Sequence, residues 1–220
     1  MSTVRMFDLA LLRVMAITDG LHDGIPSLVA RVQAAVRGGA TCVQVRLKDE
    51  SARTVAEAAR AIIAAVSVPV LVNDRFDVAL AAGAAGVHVG ADDVPTRDVR
   101  RLTPPGFLIG TSVGCDAEVP NAHDADFVGI GPIFSTQSKA DAGNAIGLAE
   151  FTRLAAAVER PAIGIGGVRA DNTASVIRAG GAGVAAIHSV FGAGKDLVSI
   201  EAATRAIANA VADARGGVVA

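Results

Sequence analysis

The sequence predicts an α/β fold, a single closed (β/α)8 (TIM) barrel formed by residues 1–220 as one domain. Short apolar, β-branched runs alternate with Ala-rich helical stretches from end to end. Eight such runs in about 200 residues fit a barrel better than the rival open doubly wound sheet. No composition break marks a domain boundary.

The elements follow in order. Val14–Thr18 is the first strand candidate, ending in Asp19, and Ser27–Arg37 is the helix after it. Cys42–Leu47 leads through Lys48 to a helix at Ala52–Val66. Val70–Val72 ends at Asn73-Asp74-Arg75 before Asp77–Ala82, and Gly86–Val89 ends near Asp92-Asp93 before Thr96–Leu102. Leu108–Gly110 is followed by Ser112 and by a weak helix from Asp116 to His123, which Pro120 interrupts. Phe127–Ile130 opens a loop running through Thr136–Lys139 to a helix at Leu148–Val158. Ala162–Ile165 meets Gly166-Gly167 before Ala170–Arg178, and Val184–Ile187 meets His188-Ser189. Residues 197–214 form the last helix. Three helix ends repeat one signature, Arg37-Gly-Gly-Ala, Ala82-Gly-Ala-Ala-Gly and Ala179-Gly-Gly-Ala-Gly. Glycine just past a helix end closes it in the left-handed conformation, so these glycines read as structural. Polar chemistry gathers instead at the strand-to-helix joints, the end where barrel active sites form.

Composition excludes several classes. The formal net charge is −2 and aromatics are 3%, with no Trp or Tyr. Nucleic-acid binding needs a basic field and stacking rings, so it is not expected. Mean hydropathy is high at +0.46. Yet the longest apolar stretch, Ala61 to Val72, is broken by Ser67 and Pro69, so no membrane span is expected. The first residues carry Arg5 and Asp8 in a short apolar run and lack a signal-peptide core. Cys42 and Cys115 have no metal spacing and read as reduced thiols of a cytoplasmic protein. A homo-oligomer is left open.

Four constellations carry chemistry. In Gln44-Val45-Arg46-Leu47-Lys48, period-two alternation turns Val43, Val45 and Leu47 towards the helices. Gln44, Arg46 and Lys48 then face the lumen or its mouth. A guanidinium fork and a point charge suit a phosphate or pyrophosphate, against the alternative of a solvated edge strand. Asp74 and Asp93 follow neighbouring strands, where two carboxylates can hold one hard cation such as Mg²⁺. Asp is equally the default cap after a strand, and Asp92 is read in that role. Gly164-Ile-Gly-Gly167 is not a dinucleotide fingerprint, because Arg169 stands at the third glycine position. It reads as a phosphate turn, with tight helix–strand packing as the alternative. Ser135, Thr136, Ser138 and Lys139 offer hydroxyls and a cation on a long loop, read as a lid or as plain surface. His88, inside a strand, reads as a satisfied core histidine. His22 and His123 read as loop residues, and the role of His188 is open.

Together these residues resemble the thiamine phosphate synthase (thiamine-phosphate pyrophosphorylase) family over about residues 14–192. The matching pieces are Val43-Gln-Val-Arg-Leu-Lys48, Leu71-Val-Asn-Asp-Arg75, Gly86-Val-His-Val-Gly90 with Asp93, Gly129-Ile-Gly-Pro-Ile-Phe134 and Ile163-Gly-Ile-Gly-Gly167. The resemblance implies a barrel transferase of thiamine biosynthesis. It would join 4-amino-2-methyl-5-hydroxymethylpyrimidine pyrophosphate to a thiazole phosphate and release pyrophosphate, with Mg²⁺ and a dissociative mechanism. It assigns Gln44, Val45, Arg46, Leu47, Lys48 and Asn73 to the pyrimidine pyrophosphate. Asp74 and Asp93 are assigned to Mg²⁺, Ser112 to the reacting centre and Lys139 to pyrophosphate. Arg46, Lys48, Ser112 and Lys139 form the implied catalytic set. Thr136, Gln137 and Ser138 would contact the thiazole substrate, and Gly167, Ile187 and His188 its phosphate.

Ala91, Gly114 and His188 depart from the family pattern, where Gln, His and a small hydroxyl residue are usual. The first strand also lacks the usual aromatic. Two alternatives follow: a thiazole tautomerase-like isomerase, against which Gly114 argues, and a non-catalytic paralogue that binds a phosphorylated ligand.

Overall fold

The computed structural model describes residues 8–135, 144–192, 194 and 196–216. Eight parallel strands close into a barrel in sequence order. They are β1 Val14–Ile17, β2 Cys42–Val45, β3 Val70–Asn73, β4 Gly86–Val89, β5 Leu108–Val113, β6 Phe127–Ile130, β7 Ala162–Gly164 and β8 Gly183–Ala186. β8 pairs with β1 through Val14 and Val184, which closes the ring. The helices are α1 Gly24–Arg37, α2 Ala52–Ala65, α3 Phe76–Ala82, α4 Thr96–Leu102, α5 Gly147–Ala157, α6 Ala170–Arg178, α7 His188–Phe191 and α8 Leu197–Gly216. A 3₁₀ turn at Asp116–Ala122 replaces the weak helix, with Pro120 inside it.

Alternation along each strand sorts the core into two layers. Val14, Ala16, Val43 and Val45 pack outward against the helices. Met15, Ile17, Cys42, Leu71, Phe127, Ile163 and Ala185 fill the lumen. α2 shows how a helix joins the outer layer. Ser51 caps it by accepting the Thr54 N–H at 3.1 Å, and Val55, Ala58, Ala59 and Ile62 are buried on one face. Each large side chain so buried contributes about 1.5–3 kcal/mol, and the cap about 1 kcal/mol. Gly83 ends α3 at φ +73, the left-handed turn expected at these joints.

The differences from expectation have local causes. α1 begins three residues before Ser27 because Pro26, which needs no amide partner, fits a first turn. β5 runs on to Val113 because Thr111, Ser112 and Val113 pair with Val128, Gly129 and Ile130. β2 stops at Val45 because the Thr18 hydroxyl takes over Arg46, accepting its N–H at 2.8 Å and donating to its carbonyl at 3.1 Å. The single turn α7 was not expected. No helix among the described residues is long and apolar enough to cross a membrane.

Candidate active site

The C-terminal ends of the strands surround a cavity of about 740 Å³. That size suits a small-molecule site. Gln44, Arg46, Lys48, Asn73, Asp74, Asp93, Ser112, Gly167, Ile187 and His188 all line it. Residues from β2, β3, β4, β5, β7 and β8 thus meet in one place. Val45 and Leu47 do not join them. Their side chains belong to the helix-facing layer and border only a smaller cavity of about 370 Å³ behind Lys48. Alternation forces this, since neighbours of Arg46 point away from whatever Arg46 faces. Thr136, Gln137, Ser138 and Lys139 lie outside the described residues.

One wall of the cavity is built around the two carboxylates. Asp74 stands at φ +63, in the left-handed region that Asp tolerates better than most side chains. Its N–H donates to the His88 carbonyl at 2.7 Å, which fixes the turn leaving β3. Asp93 Oδ2 accepts the Gly90 N–H at 2.7 Å. The capping and the ligand readings of Asp93 are therefore compatible, because one oxygen caps while the carboxyl also hydrogen-bonds to Asp74. Burial pushes the Asp74 carboxyl up to about 6, and the Asp93 charge and hydrogen bond add to the rise. Lys48 and Arg46 pull it back down. Two carboxyl groups so close must share a proton or a cation. Among the described residues no group of three His, Cys, Asp or Glu side chains is placed to hold a metal ion. A two-carboxylate site suits Mg²⁺, which takes one or two carboxylates and completes its shell with water and phosphate oxygens.

Arg46 is half-buried, and among the described residues its Nε has no hydrogen-bond partner. A sheltered guanidinium N–H aimed at no acceptor among the described residues suits an anion site. Below it Gln44 Nε2 donates to Asn73 Oδ1 at 2.6 Å, locking both amides in register across β2 and β3. Asp92, read as a cap or solvent residue, is exposed and also lines the cavity.

The opposite wall is the glycine loop after β7. Gly166 and Gly167 have φ +90 and +64. A Cβ on Gly167 would lie 2.6 Å from the Ser135 carbonyl oxygen and 2.7 Å from Phe134 Cβ, so only glycine fits. The segment after β6 holds this loop, since the Phe134 N–H donates to the Gly166 carbonyl at 3.0 Å.

His88 and Glu118 are among the other residues that line the cavity, and neither is singled out as a site residue by the sequence. His88 is a buried histidine with partners, as its strand position predicts, and it also lines the cavity. Its Nε2 lies 3.1 Å from Ser112 Oγ, and its ring tilts against Phe127 at 5.8 Å. The room for it comes from Gly110, where a Cβ would lie 2.6 Å from His88 Nδ1. Period-two alternation from Val87 would have turned it inward. Glu118 accepts the Gly114 N–H at 2.6 Å, and it follows β5 too irregularly for any spacing rule to place it.

The sequence profile of the thiamine monophosphate synthase family matches residues 14–190. A thiamine-phosphate synthase of Roseiflexus castenholzii is 46% identical over 204 residues, covering 90% of this chain and 88% of that one. One from Moorella thermoacetica is 42% identical, covering 92% and 96%. A solved thiamine phosphate pyrophosphorylase of Pyrococcus furiosus superimposes with TM-score 0.81 at 31% identity, covering 94% and 98%. With its barrel closed and its family motifs gathered around one cavity, the chain belongs to the thiamine monophosphate synthase family of transferases.

Proposed function

We propose that the chain joins 4-amino-2-methyl-5-hydroxymethylpyrimidine pyrophosphate to a thiazole phosphate, releasing pyrophosphate. The observation that carries this reading is the Asp74–Asp93 pair, set beside Arg46 and Lys48 on one wall of the cavity. Arg46 and Lys48 would grip the pyrophosphate, and Gln44 and Asn73 would orient the pyrimidine end. Asp74 and Asp93 would hold Mg²⁺, which when bound neutralises charge growing on the leaving group. Donors fixed before the reaction stabilise that charge without reorganising. Such a wall favours a dissociative path, in which the bond to pyrophosphate breaks before the thiazole nitrogen attacks.

Ser112, tied to His88, would stand at the reacting centre. The loop at Gly167 with Ile187 and His188 would take the phosphate of the thiazole. Lys139 would add a second grip on pyrophosphate, with Thr136, Gln137 and Ser138 on the thiazole side. Two anion subsites on facing walls set the nucleophile and the electrophile between them.

The test is product analysis with both substrates, with Mg²⁺ and with a chelator. Thiamine phosphate and pyrophosphate in equal amounts, formed only with the metal, are expected. No product under any condition would sink the reading. Isomerisation of a thiazole carboxylate without pyrimidine would replace it with the tautomerase. Thiazole phosphate binding without pyrophosphate binding would replace it with the non-catalytic paralogue.

A further inference from the structure

Asp19 sits at the catalytic end of β1, yet the proposed reaction gives it no task. Its carboxylate meets Arg31 of α1, whose Nη2 lies 3.2 Å from Oδ2 and 3.1 Å from Oδ1. Both side chains are sheltered, at 13% and 15% exposure. The same Nη2 donates to the Phe191 carbonyl, and the guanidinium lies over the Phe191 ring with 5.5 Å to its centre. His22 lies 3.5 Å from Asp19 on the solvent side. One arginine therefore joins the end of β1, the middle of α1 and the last residue of α7. A guanidinium this sheltered loses hydration, so each acceptor it touches is held firmly.

Phe191 in turn fixes the cavity wall. Its N–H and that of Val190 donate to the Ile187 carbonyl at 2.8 and 3.1 Å, and the Gly192 N–H donates to the His188 carbonyl at 2.8 Å. A shift of the Phe191 carbonyl is therefore passed within one turn to Ile187 and His188, which line the cavity beside Gly166 and Gly167.

We propose that the Asp19–Arg31 pair is a bracket that positions the Ile187–His188 wall and so sets the affinity for the phosphate of the thiazole substrate. Arg31 is a positioning residue that touches no substrate. The inference rests on the proposed reaction, because it needs a phosphate bound at that wall.

The test compares Arg31→Met with wild type using thiazole phosphate, its dephosphorylated alcohol and the pyrimidine pyrophosphate. Misplacing a wall by a fraction of an ångström should raise KM for thiazole phosphate about tenfold. KM for the pyrimidine substrate and the handling of the alcohol should stay within about twofold, because neither uses the phosphate wall. Unchanged kinetics, or equal losses with alcohol and phosphate, would overturn the bracket. Asp19→Asn gives the same reading if Arg31→Met does not fold, with a rise of about threefold expected from losing the charge but not the contact. Calorimetry with thiazole phosphate separates the two ideas. Wild type that binds it without turnover counts against the reaction alone. Equal binding by wild type and Arg31→Met counts against the bracket alone, and no binding by wild type overturns both.

Discussion

Asp93→Asn tests the carboxylate pair most directly. The amide keeps an oxygen for the Gly90 N–H but removes the charge facing Asp74. The Asp74 carboxyl stands at about 6 against an ordinary 3.8. A gap of about two units corresponds to about 3 kcal/mol at most. Asp74 is half-buried, so solvent screening leaves about 1–2 kcal/mol. Burial is the largest cause and persists in the variant, so the share due to Asp93 is about 1 kcal/mol or less. The sign follows from linkage. A carboxyl with a raised folded pKa holds its proton more tightly when folded, which stabilises fully below pH 3.8 and is lost as pH rises through about 6. Metal-free wild type should therefore lose stability relative to Asp93→Asn between pH 4 and 6. In a chain of this size, about 1 kcal/mol moves the melting temperature by about 2–4 °C. Melting curves in chelator from pH 4 to 8 measure the difference, with the other carboxylates cancelling between the two proteins. Adding Mg²⁺ at pH 7 should raise the wild-type midpoint and leave the variant unmoved, because a cation bound only to the native state stabilises it. Parallel pH curves together with equal Mg²⁺ responses would refute the pairing.

Arg46→Lys should lower kcat/KM by about 10- to 100-fold, since a point charge cannot replace a fork whose Nε has no partner among the described residues. Wild-type affinity for pyrophosphate in steady-state inhibition would contradict this. Gly167→Ala should destabilise by roughly 1–3 kcal/mol and raise KM for thiazole phosphate, because the new methyl meets the Ser135 carbonyl at a positive φ. Denaturant melts and kinetics check both parts. Burial pushes the Cys42 thiol up to about 12 while Cys115 is exposed. One thiol should react fast with a disulfide reagent at pH 8 and the other only after unfolding. Two fast thiols would place Cys42 wrongly.

Strand count and alternation made the barrel legible, because both follow from local chemistry. β4 and β6 match the sequence boundaries. The inward and outward sets of β2 could be read because one period-two rule governs them. The same rule excludes Val45 and Leu47, which a stretch-wise reading of the family motif had included. What escaped depends on contacts far along the chain. Thr18 ends β2 from 28 residues away, and Arg31 reaches Phe191 across 160. No spacing rule spans such distances. His88 is the buried, hydrogen-bonded histidine its strand position predicts, but that position says only that a side chain is inward, not that it also borders a cavity. Gly110 and Gly129 leave space there, and the two must be seen side by side to matter.

The scarcity of aromatic residues acquires a physical meaning in the lumen. The first strand offers Met15 and Ile17 to the cavity and carries no aromatic. Beside them Ile163, Ile165 and Ala185 continue an aliphatic floor. Such a floor adds few polar groups beneath the charged wall of Arg46, Asp74 and Asp93. Charges above it are poorly solvated from below, which strengthens each ionic contact the wall makes. A ring contact borders the same space at His88 and Phe127, whose centres lie 5.8 Å apart and which Gly110 and Gly129 accommodate. An aromatic at Met15 would overfill a floor in which Met15, Ile17, Ile163 and Ala185 are already buried.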